Sequence, residues 1–86
     1  IGDNNIINTG AIIEHEAKVG NHNHISIGEK MCGRSAIGND CLIGAGAVVV
    51  DKISICDNVI IGAGSVVIRD IEDAGTYVGN PAKRIK

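Results

Sequence analysis

Ile37-Gly38-Asn39-Asp40-Cys41-Leu42-Ile43-Gly44-Ala45-Gly46-Ala47-Val48-Val49 puts an aliphatic residue at 37, 43 and 49, six apart. The same spacing runs outward in both directions. Ile1, Ile7, Ile13, Val19, Ile25 and Met31 precede it, and Ile55, Ile61 and Val67 follow. Ile, Val, Leu and Met together supply 26 of the 86 residues, so twelve successive matches would arise by chance about 3 times in a million. A period of six fits neither a helix nor a long unbroken strand. It fits a short strand followed by a tight corner. Three such units close a triangular coil of 18 residues, with residue i lying on residue i+18. The expected ladders are Ile1/Val19/Ile37/Ile55, Ile7/Ile25/Ile43/Ile61 and Ile13/Met31/Val49/Val67, on coils about 4.8 Å apart. The fifth place of each block is mostly small or medium, where the chain turns inward; Glu29, Ile53 and Ile71 depart from this. Gly, Asn and Asp at second to fourth places serve the corners. The fold class is all-β, a parallel β-solenoid of about four coils over residues 1–72, each resting on its neighbours. A β-sandwich would instead show alternation and turns every 8–12 residues or so.

Composition agrees. The chain has 16 Ile and 8 Val against one Leu, and β-branched residues suit strands better than helices. With no Trp, no Phe and only Tyr77, base-stacking platforms are excluded. A net charge of −2 offers no footprint for nucleic acid or an anionic membrane. Cys32, Cys41 and Cys56 lack C-x-x-C spacing, so free thiols and a cytoplasmic setting are expected. No stretch is long enough to span a bilayer. The ladder stops after Glu72, and residues 73–86 are expected to cap or leave the prism as an extended tail with a basic end (Lys83, Arg84, Lys86). At the front Ile1 is already in register, so further coils are expected upstream, because an open coil end exposes unpaired strand edges.

The run of I-G-x-x-x-x blocks resembles the hexapeptide-repeat acyltransferases. Asn8-Thr9-Gly10-Ala11-Ile12-Ile13-Glu14-His15-Glu16, His24-Ile25-Ser26 and Val78-Gly79-Asn80-Pro81-Ala82-Lys83 narrow the match. They are similar to the bacterial sialic acid O-acetyltransferases and nucleotide-amino-sugar N-acetyltransferases. That resemblance implies a left-handed winding, a homotrimer, and acetyl-CoA bound between two prisms. It further implies a small-molecule sugar acceptor, whose N-terminal binding domain in that family is absent from this sequence.

Transfer from a thioester needs a base for the acceptor's proton and a donor for the developing oxyanion. His15, flanked by Glu14 and Glu16, is the candidate base. A carboxylate could fix its tautomer; strand geometry leaves the choice of carboxylate open, and the resemblance assigns it to Glu16. Gly33 stands 18 residues on, one rung away, where a glycine lets a ligand reach the backbone; the resemblance turns its N–H to the acetyl carbonyl. His24, half a coil from His15, should not meet it within one chain. A threefold assembly could bring it near His15 of a second copy. The resemblance makes His24 a contact of acetyl-CoA, and likewise Ala45 and Ala63 through their main chain. Three alternatives stand beside this reading: corner residues of a non-catalytic trimerisation solenoid, a zinc site built from His15, His22 and His24, and a cysteine nucleophile. The zinc site would resemble that of the carbonic anhydrases among hexapeptide-helix proteins, but His22 falls at the fourth place of a corner and the spacing does not match that family, so no metal is expected. No His or Asn is placed to activate a thiol.

Overall fold

A computed structural model describes residues 1–86. It contains thirteen short strands and no helix. These are β1 (Ile6–Ile7), β2 (Ile12–Ile13), β3 (Lys18–Val19), β4 (His24–Ile25), β5 (Lys30–Met31), β6 (Ala36–Ile37), β7 (Leu42–Ile43), β8 (Val48–Val49), β9 (Ser54–Ile55), β10 (Val59–Ile61), β11 (Val66–Val67), β12 (Gly75–Val78) and β13 (Lys83–Arg84). They form three parallel faces. The first stacks β1, β4, β7 and β10 and is extended by β12 and β13; the second stacks β2, β5, β8 and β11; the third stacks β3, β6 and β9. The register is the expected 18: Ile7 pairs with Ile25 and Ile25 with Ile43, Met31 with Val49, Val19 with Ile37 and Ile37 with Ile55. This is the left-handed parallel β-helix of hexapeptide repeats, about four turns long.

The ladders are the core. Ile25, Met31, Ile43, Val49, Ile61 and Val67 are all buried. Each such side chain contributes about 1.5–3 kcal/mol by leaving water. The sixth residue of each block faces out. Those on the third face are small or polar (Lys18, Ala36, Ser54), whereas those on the first are mostly apolar: Ile6, Leu42 and Ile60 lie exposed in a row with His24.

The corners repeat as strictly as the ladders. The fourth residue of every block up to residue 64 has positive φ. Corner I, between the first and second faces, fills that place with glycine (Gly10, Gly28, Gly46, Gly64). Corner II, between the second and third, uses Glu16, Arg34 and Lys52. Corner III, returning to the first, uses Asn4, His22, Asp40 and Asn58. A left-handed conformation costs glycine nothing and Asn or Asp little; for other residues it costs on the order of 1 kcal/mol. Corner II therefore carries most of the strain, on three long charged residues, with His22 of corner III the one other case.

Past Ile71 the period breaks. Ile71 bridges Ile55, 16 residues back, and β12 pairs with β10 in the same shortened register, Val59 to Gly75 and Ile61 to Tyr77. β13 then returns antiparallel, Tyr77 to Arg84.

Candidate functional site

Corner II carries His15. Its imidazole is exposed and lies over Gly33 on the next rung. A Cβ built on Gly33 would sit 2.9 Å from His15 Cε1 and 3.3 Å from Nε2. Gly33 does not have positive φ, so it is the ring, not the backbone, that needs a glycine here. The coils are locked together at this point: the Arg34 N–H donates to the His15 carbonyl (3.1 Å) and the Lys52 N–H to the Gly33 carbonyl (3.1 Å).

The third-place N–H groups set the corners apart. In corner III the N–H of Asp3 donates to Asn21 Oδ1, that of Asn21 to Asn39 Oδ1, and that of Asn39 to Asp57 Oδ1, each at 2.7 Å. In corners I and II the equivalent N–H groups, among them those of Gly33, Ala45 and Ala63, have no acceptor within the chain. The three residues expected to offer their main chain to a ligand thus all lie in corners without a side-chain cap.

The carboxylate of Glu16 is turned to Arg34. Arg34 Nε donates to Glu16 Oε2 at 2.6 Å, the only ion pair in the structure, with both side chains about 60% exposed (59% and 62%). A pair this open is worth about 0.2–1 kcal/mol, so either partner is easily drawn off by another charge. Glu16, Lys18, Arg34, Ala36 and Ser54 line a cleft of about 450 Å³ on the third face beside His15. Composition did not single out Lys18 or Arg34. Arg34 follows Glu16 by 18, the step that links His15 to Gly33, and that spacing was the available signal.

His24 lies on β4, on the first face, away from His15. Asn8 Nδ2 lies 3.0 Å from its Nε2. The two side chains thus bond to each other across neighbouring rungs of the first face. Sequence reasoning quoted Asn8 but gave it no part. Burial, with help from Asp51 and Glu14, pushes the Cys32 thiol up, and burial does the same to Cys41, so neither is a ready thiolate at neutral pH. No group of three or more His, Cys, Asp or Glu side chains is placed to hold a metal ion. No helix is long and apolar enough to cross a membrane. A smaller cleft of about 220 Å³ lies between the last coil and the tail, among Arg69, Asp70, Tyr77, Pro81 and Lys83.

Residues 34–69 match the family model described as bacterial transferase hexapeptide (six repeats). No curated protein sequence matches the chain. Among solved structures, the chain is similar to serine acetyltransferase from Neisseria gonorrhoeae, at 32% identity and a TM-score of 0.93, over 99% of this chain and 37% of that one. It is also similar to soybean serine acetyltransferase complexed with serine, at 33% identity and a TM-score of 0.85, over 98% of this chain and 39% of that one. An N-acyltransferase (AntD) from Bacillus cereus, solved with dTDP-4-amino-4,6-dideoxyglucose and coenzyme A, shares the fold at 17% identity, a TM-score of 0.76, and 98% and 63% coverage. The chain thus spans about two-fifths of the length of the serine acetyltransferases it matches.

Proposed function

We propose that this chain is the catalytic β-helix of an acetyl-CoA-dependent acetyltransferase acting on an amine or hydroxyl of a sugar. One observation carries the reading: an exposed imidazole lies over a glycine on the next rung whose N–H is free of protein acceptors. His15 takes the proton of the acceptor as its nitrogen or oxygen attacks the thioester carbon. The Gly33 N–H donates to the oxygen that becomes negative. The tetrahedral species expels the CoA thiolate, which recovers the proton from His15. Glu16 supports the imidazolium by charge from the adjacent residue. His24, bonded to Asn8, and the free amides of Ala45 and Ala63 contact acetyl-CoA along the prism.

The acting unit is a homotrimer. The apolar row of Ile6, Leu42 and Ile60 around His24 supports this, since packing it against a second prism would bury the row and bring His24 toward the other copy's corner II. The likeness to soybean serine acetyltransferase favours a second acceptor class, the hydroxyl of a small amino acid.

His15→Ala in the full-length protein tests the base. Thiol release from acetyl-CoA with the acceptor should fall about 10²–10⁴-fold while the trimer persists in sedimentation. Undiminished turnover would exclude His15 as the base. If no acceptor provokes thiol release even in the wild type, the solenoid is an assembly module.

A further inference from the structure

We propose that the cleft on the third face beside His15 is the subsite for an anionic group of the acceptor, a carboxylate or a phosphate, held between Lys18 and Arg34. The inference rests on the acetyltransferase reading and names the acceptor class it implies. Within the cleft Lys18 and Arg34 outnumber Glu16, in a chain whose net charge is −2. Its floor is Ala36 and Ser54, the smallest outward side chains of their face, so a ring can lie flat and accept from the Ser54 hydroxyl. Lys18 has no ion-pair partner. Arg34 is held by Glu16 through Nε alone, leaving the rest of its planar fork of donors for a second anion.

The corner itself points the same way. Glu16, Arg34 and Lys52 occupy a conformation that glycine takes for nothing in corner I, with φ of 58°, 60° and 64°. Charged side chains hold these places only at a conformational cost, and their column borders both His15 and the cleft. An anion on the open end of the Arg34 fork shares the guanidinium with Glu16.

The test uses the full-length protein without acetyl-CoA, so that it does not depend on turnover. Calorimetry compares N-acetylneuraminate with its methyl ester, and a uridine-diphosphate amino sugar with the free amino sugar. We expect one anionic probe to bind at least about tenfold more tightly than its neutral counterpart, which also tells carboxylate from phosphate. Arg34→Gln should erase that preference and Lys18→Gln should reduce it, while the acetyl-CoA affinity of both variants stays at the wild-type value. Equal affinity for charged and neutral probes overturns the proposal, as does an Arg34→Gln variant that keeps the preference. A loss of acetyl-CoA affinity in place of acceptor affinity also overturns it, making the cleft a CoA phosphate site. Arg34-dependent anion binding in a protein that acetylates none of the probes would sink the sugar-acceptor reading and leave the anion site standing.

Discussion

Corner III and corner II are built from the same turn, yet one is closed and the other open. In corner III the Asx side chain of each rung caps the N–H of the rung before it, and Asn23 fills the interior with both ends of its amide engaged: Nδ2 donates to the Gly38 carbonyl and Oδ1 accepts from the Cys41 N–H, each at 2.8 Å. The cap lies so close that a Cβ on Gly20 would collide with the Gly38 carbonyl and with Asn39 Oδ1. In corner II the cap is missing, the amide is free, and a histidine stands over it. The repeat supplies position; chemistry becomes possible where the repeat's own hydrogen bonds are withheld. Gly33→Ala breaks this contrast most sharply. Its backbone tolerates alanine, and the nearest atoms to the added methyl are all in the His15 ring. Acetyl transfer should drop about 100-fold, the scale of a catalytic group displaced by about 1 Å. Thermal stability should hardly move. A steady-state assay beside a melting curve checks both, and a fully active variant would detach His15 from Gly33.

Corner I supplies the interior counterpart of Asn23. Glu29 is fully buried at the fifth place, stacked between Ala11 and Ala47, and neither carboxylate oxygen has a partner. Burial raises its pKa from 4.5 to about 8. The folded state thus holds a proton that the unfolded chain releases across this interval. Its stabilising effect is complete below about pH 4.5, declines as pH rises, and is gone above about pH 8. One proton corresponds to a slope of about 1.4 kcal/mol per pH unit at most. Urea midpoints between pH 5 and 8 should fall with pH in the wild type and stay level in Glu29→Gln, which keeps the shape and cannot ionise. A wild type as flat as the variant would mean that Glu29 finds a partner.

The ladders were legible because an aliphatic residue opens all twelve blocks, buried from Val19 to Val67 though not on the first coil, where Ile1 and Ile7 stay exposed; the same step of 18 relates Gly33 to His15. The chemistry around them was less so. Glu29 stood out at the fifth place as a large charged residue among small ones, but its protonation depends on the absence of partners, which no spacing reveals. Arg34 was hidden because a lone basic residue in a corner reads as solvated surface; its meaning comes from Glu16 one rung away and from a φ that the sequence does not print. The tail was unreadable for a different reason. β12 joins the first face through backbone bonds in a register of 16, and with no ladder residue at the expected place nothing in residues 73–86 announces that pairing.

The smallest expected effect lies in the closed corner. Asn39→Ala removes the acceptor of the Asn21 N–H and nothing from the His15 corner. It should cost about 0.5–1.5 kcal/mol, the net worth of one hydrogen bond, seen as a lower urea midpoint. Turnover measured well below the melting temperature should be unchanged. Asn39→Asp should recover most of the loss, because Asp57 already fills that role for the Asn39 N–H at the same 2.7 Å. If Asn39→Ala instead slowed acetyl transfer as strongly as Gly33→Ala, corner III would not be the inert brace that its closed ladder implies.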